Sequence, residues 1–162
     1  MIILKTQEDL NDLCNLAVKL GADDAKLIKT SDIIVSNWTR LKCQYGCGGY
    51  GKKLTCPPYS PTPDKFRRVL EGYEYAIKFE PKRQEYSRRS FHEIVAKLER
   101  EAFLKGYYSA FGLTCGPCPY CDECNLKECI YPDLARPSME ACGIDVYATV
   151  RKAGFNLKVV KN

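Results

Sequence analysis

The sequence predicts an α/β fold: a single compact domain over residues 1–162, with a central sheet, packed helices and two cysteine-rich metal-binding loops at residues 43–63 and 113–145. Three observations lead there. Apolar residues recur at helical spacing in two stretches, residues 7–20 and 84–111. Between them residues 73–79 alternate apolar with polar, the pattern of a strand. Eight of the ten cysteines fall into two tight groups, which a scattered structural core would not produce. A chain of 162 residues with 45% hydrophobic residues has the material for a real core, which excludes disordered and fibrous classes.

Taken in order, the first helix is expected from about Gln7 to Leu20, with Leu10, Leu13, Cys14, Ala17 and Leu20 on one face. Thr6 with Asp9 would cap it and Gly21 would stop it. Cys14 belongs to that apolar stripe and reads as a small core hydrophobe. Short strand-like runs follow at Ala25 to Ile28 and Ile33 to Val35, and a third, Trp38 to Lys42, leads into the first cysteine group. Thr62, Pro63 and Asp64 start a short helix through Leu70, with Pro63 at its first position and Gly72 beyond its end. Tyr73 to Phe79 is the next strand, with one well-covered face.

The long helix should run from near Gln84 to Phe111, carrying Phe91, Ile94, Val95, Leu98 and Ala102 at helical spacing. His92, the only histidine, lies beside that stripe and reads as a surface or half-buried residue, which disfavours histidine-based catalysis. From Leu113 the apolar periodicity stops and six cysteines follow, so residues 113–135 need something besides their own side chains to order them. Asp145 should cap a last helix to Ala153 ended by Gly154, and Leu157 to Val160 can close as a strand.

Cys118, Cys121, Cys124 and Cys129 read C-x2-C-x2-C-x4-C, with Pro132 three residues after the last. Cysteines at such short equal spacing bring successive sulfurs back to one centre, the habit of iron–sulfur ligands. The last spacing is one residue longer than in small bacterial ferredoxins, so the ligand assignment does not transfer. Four-thiolate zinc is the competitor, although zinc sites usually divide their ligands into two separated pairs. Cys115 extends the series one step upstream and is the first to omit.

The other group is Cys43-x3-Cys47-x8-Cys56, with Gly46, Gly48, Gly49 and Gly51 between. Those glycines let the backbone bend around a bulky centre. Three ligands are one too few, so either a distant cysteine completes the set, with Cys142 the first candidate, or one position stays open for a substrate, water or sulfide. Ser138 to Ala141 suggests a helical turn and Gly143 a sharp exit, which would present Cys142 at the edge of a metal cavity, where a helix end and Arg136 would lower its pKa. Arg136 would hold an anionic substrate or pair with Glu140.

The motifs LKCQYGCGGYGKKLTCPPYSPTP and GPCPYCDECNLKECIYPDLARPSMEACGIDV together resemble an uncharacterised family of small cysteine-rich predicted metal-binding proteins, common in methanogenic archaea and anaerobic bacteria. The resemblance spans residues 25–155 and implies cytoplasmic iron–sulfur proteins, with no established reaction. It carries over Cys43, Cys47, Cys56, Cys118, Cys121, Cys124, Cys129 and Cys142 as metal ligands, and leaves out Cys14 and Cys115.

One or two [4Fe–4S] clusters, or zinc in their place, are therefore the expected cofactors, screened by Trp38, Tyr45, Tyr50 and Tyr59. The leading functional expectation is redox or sulfur-transfer chemistry. Electrons would pass through the cluster of Cys118, Cys121, Cys124 and Cys129, from a redox partner protein, to a small-molecule substrate at Cys43, Cys47 and Cys56. The alternatives are an electron carrier or metal-delivery protein, and a zinc-stabilised adaptor. Nucleic-acid binding through Arg67, Arg68, Arg88 and Arg89 ranks last. The formal charge of +5 counts every thiol as neutral; a four-thiolate, four-iron centre adds about −2, leaving about +3 with one cluster and about +1 with two. No apolar run suits a membrane span or a signal peptide, and grouped thiols suit a reducing compartment, so the cytoplasm is the expected location.

Overall fold

Ile2 and Ile3 are adjacent in a strand, so their side chains leave on opposite faces, and both are fully buried. The sheet they belong to is therefore covered on both sides. A computed structural model describes residues 1–4, 10–82 and 86–154. Its sheet has four strands, β1 (Ile2–Leu4), β2 (Ala22–Lys29), β3 (Tyr75–Pro81) and β4 (Phe111–Gly112), in the order β2-β3-β1-β4 with every pairing antiparallel. Among the described residues five α-helices complete it, α1 (Leu10–Lys19), α2 (Trp38–Gly46), α3 (Pro63–Leu70), α4 (Arg88–Leu104) and α5 (Val146–Lys152), with short 3-10 turns at Thr30–Asp32 and Glu140–Cys142. The chain is thus an α/β domain with a four-stranded sheet and packed helices.

One face of the sheet, through Ile2, Ile77 and Phe79, packs on Leu10, Leu13 and Ala17 of α1 and on Phe91, Val95, Leu98 and Ala102 of α4. The opposite face, through Ile3, Ile28 and Ala76, packs on Phe66 and Leu70 of α3 and on Leu113, Cys142 and Ile144. The second layer carries the cysteine loops. β3 is buried on both faces from Tyr75 to Phe79, where alternation predicted one covered face. Its Lys78 is buried with its ammonium on Glu80.

Local signals place the caps. Thr62 accepts a hydrogen bond from the Lys65 N–H at 3.2 Å, with Pro63 in the first turn of α3. Asp145 accepts from the Ala148 N–H at 2.9 Å to start α5. Ser87 and Ser90 form a reciprocal capping box, so α4 begins at Arg88, and the left-handed Gly106 closes it well short of Phe111. Residues 38–46 form α2, where a strand was expected. The Thr39 hydroxyl bonds back to Ser36 O at 2.9 Å, and Thr39 alone of this helix is buried. The expected caps Thr6 and Asp9, the helix starts at Gln7 and Gln84, and the strand Leu157 to Val160 lie outside the described residues. No helix among the described residues is long and apolar enough to cross a membrane.

Candidate functional site

α2 delivers the first two thiols. Cys43 lies in its last turn and Cys47 follows it as C-cap, four residues on and so on the same side of the chain. The backbone then folds through successive turns, with the Cys56 N–H donating to Lys53 O at 3.0 Å and the Gly51 N–H to Pro57 O at 2.8 Å. These turns return Cys56 to the end of α2. A Cβ placed on Gly49 would stand 3.5 Å from Cys56 Sγ, 3.7 Å from Cys47 Sγ and 3.4 Å from Pro117 Cβ, so two sulfurs and the second loop converge over one glycine.

Cys43, Cys47 and Cys56 line one cavity of about 360 Å³, together with Trp38, Tyr50, Pro117, Glu140 and Tyr147. Burial pushes the Cys56 thiol up to about 11; the Thr55 hydroxyl opposes this, while Cys47, Cys43 and Cys118 add to it. Burial, then Cys47, raises Cys43 as well. Cys118 of the second loop is thus a further thiol whose charge acts on Cys56.

Side chains of the first segment reach backbone carbonyls of the second. Lys53 Nζ donates to Cys121 O and, at 3.3 Å, to Asp122 O. Ser60 Oγ donates to Ala141 O at 2.7 Å. Arg40 Nη2 donates to Ser60 O at 2.9 Å, holding α2 to the same segment. Burial raises the Cys118 pKa; the Tyr120 N–H and Lys53 oppose this, and Cys121 and Cys129 add to it. Cys118 thus neighbours both groups. Cys124 turns its sulfur to Asn125 O at 3.9 Å.

Among the described residues, no group of three or more His, Cys, Asp or Glu side chains is close enough to hold a metal ion. The convergence expected of Cys118, Cys121, Cys124 and Cys129 is thus not closed. These sulfurs are positioned by turns and backbone contacts, and neutral thiols have no attraction that would draw them together. What fits a soft metal is the donor set: ten free thiols, three of them on one cavity to which the second loop contributes Gly116 and Pro117.

Three sequence expectations need correction. Cys142 is fully buried in the core layer, where burial pushes its thiol up to about 12, the reverse of a lowered pKa. It borders a different cavity, of about 480 Å³, shared with Cys129 and Tyr59. Arg136 forks onto Glu99, Nε to Oε2 at 2.9 Å and Nη2 to Oε1 at 2.5 Å, while Nη1 donates to Pro132 O and Ala135 O. Its donors therefore fasten the second cysteine loop to α4, and Glu140 is not its partner. His92 is fully buried, with both ring nitrogens lacking a hydrogen-bond partner and Tyr120 set edge-on at 5.8 Å. Of the aromatic screen, Trp38 and Tyr50 reach the thiol cavity, whereas Tyr45 is 80% exposed.

Two participants were missed. Lys53 carries no motif, and only its tertiary contact with Cys121 O reveals it. Glu140 lines the thiol cavity with its Oε2 buried and unpartnered. Its position beside Ser138 marked a helical turn, but nothing local marked its burial.

Residues 26–162 match the family described as Predicted metal-binding protein (DUF2284). No curated protein and no solved structure matches the chain. With the match running through both cysteine groups, the chain belongs to this family of predicted metal-binding proteins.

Proposed function

We propose that the protein is an iron–sulfur protein of a reducing compartment, the cytoplasm, engaged in redox or sulfur-transfer chemistry on a small molecule. The single observation that carries the reading is the approach of two cysteine loops remote in sequence: Pro117 stands with the Cys47 and Cys56 sulfurs over Gly49, and Lys53 reaches Cys121 O. Family membership supports metal binding in general, and the short equal cysteine spacing favours iron–sulfur over zinc.

Cys118, Cys121, Cys124 and Cys129 would hold a [4Fe–4S]-type cluster, and Cys43, Cys47 and Cys56 a second centre with one position left for substrate. Cys142 is the reserve ligand of the wider set. When bound, such clusters supply one-electron transfer exchanged with a protein partner. The chain's own residues set the conditions. Lys53 brings a positive charge near Cys118, and with the Tyr120 N–H it opposes the burial that raises that thiol. Trp38 and Tyr50 limit water at the first group.

Metal and acid-labile sulfide analysis of anaerobically purified protein tests the proposal. A brown protein with a broad band near ~400 nm and about four or about eight irons per chain, matched by sulfide, is expected. Zinc without sulfide, or no metal, would overturn it. Cys56→Ser should abolish substrate chemistry while sparing most of the iron of the second group; loss of both together would make the first group structural.

A further inference from the structure

The cavity beside Cys43, Cys47 and Cys56 has walls suited to an organic ligand as well as to metal. Trp38, Tyr50 and Tyr147 contribute three aromatic surfaces to it. Glu140 is its one carboxylate. The Ser138 hydroxyl and the residue's own N–H serve this carboxylate, yet Oε2 is buried without a partner. A buried acceptor left unpaired is unfavourable, and an incoming donor would relieve it. Lys42 is the only cationic side chain in the lining, and it is exposed. A thiolate-ligated centre at the cysteines would add further negative charge. At about 360 Å³ the space lies at the small end of ligand pockets, which span roughly 300–1,000 Å³.

We propose that this cavity binds a small organic cation, an ammonium-type head on an apolar body, with the head donating to Glu140 and the body against Trp38, Tyr50 and Tyr147. Aromatic faces combined with a desolvated carboxylate are the usual recognition chemistry for such a cation. The proposal names the substrate class of the thiol site and takes the word substrate from the reading above; the binding itself requires no cluster.

The chain's only tryptophan is Trp38, so its fluorescence reports on this cavity alone. Anaerobically purified full-length protein is titrated with benzylamine, benzyl alcohol and phenylacetate, with calorimetry as a second readout. Saturable binding of benzylamine in the millimolar range is expected, at least about tenfold tighter than the alcohol or the acid. Glu140→Gln should erase that preference. Tyr147→Leu, at an exposed position, should weaken benzylamine binding while keeping its rank. Equal affinity for the three probes, no saturable response to benzylamine up to tens of millimolar, or a preference untouched by Glu140→Gln would overturn the proposal. Benzylamine binding by protein that lacks iron and sulfide would sink the cluster reading alone. Iron-loaded protein indifferent to benzylamine would sink the ligand proposal alone.

Discussion

Replacing His92 by leucine removes a group that the fold holds at a cost. The imidazole is fully buried, both nitrogens are unpartnered, and burial, with Arg88 adding to it, pushes its pKa from 6.5 down to about 4. Burying such an unpaired polar group costs on the order of 1–3 kcal/mol, so His92→Leu, of similar volume, should stabilise the protein by up to that amount at pH 7. Acid enlarges the gap. Because the folded-state pKa is depressed, the unfolded chain takes the proton first, and stability present above 6.5 is lost as pH falls to about 4. At about 1.4 kcal/mol per pH unit this interval is worth about 3 kcal/mol. Urea unfolding of both proteins at steps from pH 7 to pH 4 should show the variant's advantage widening by about that much. Since the chain has one histidine, the difference curve isolates this residue from every carboxylate. Parallel stability curves, or a variant less stable throughout, would refute the reasoning.

Arg136→Lys and Glu99→Gln should each cost about 1.5–3 kcal/mol, read as a lower melting temperature, because a lysine cannot reproduce the two-pronged contact and either change leaves a partly buried partner poorly paired. Gly143→Ala should cost on the order of 2–4 kcal/mol in urea titration: its φ of 94° strains an L residue, and the new Cβ would meet Pro63 Cβ at 2.7 Å. In chelator-treated, still folded protein, iodoacetamide should label exposed Cys47 long before Cys142, whose thiol is buried and held at about 12; mass spectrometry of timed samples would show the order.

Elements fixed by neighbouring residues were legible. Thr62, Pro63 and Asp64 announced α3, and Asp145 with Gly154 bracketed α5, because caps and stops act within one turn. α2 was misread since it buries only Thr39 and so carries little amphipathic pattern. β1 and β4 were invisible for another reason. Ile2 pairs with Gly112 and Ile3 with Phe111, partners that no local window contains. The site divided along the same line. Cysteine spacing disclosed the two groups, whereas the contact of Lys53 with Cys121 O, the seating of Arg136 on Glu99 and the burial of His92 under Tyr120 are all long-range outcomes. Cys142 showed that a sulfur inside a recognisable motif can still be placed in a core.

The contacts from Lys53 to Cys121 and from Ser60 to Ala141 join segments 68 and 81 residues apart, and the cavity they frame takes its walls from Trp38 through to Tyr147. During synthesis, then, the chamber does not exist until Tyr147 has cleared the ribosome. Until that moment Cys43, Cys47 and Cys56 hang on a nascent chain with no roof above them. Whatever the pocket holds can therefore enter it only late in synthesis, once all its walls are present.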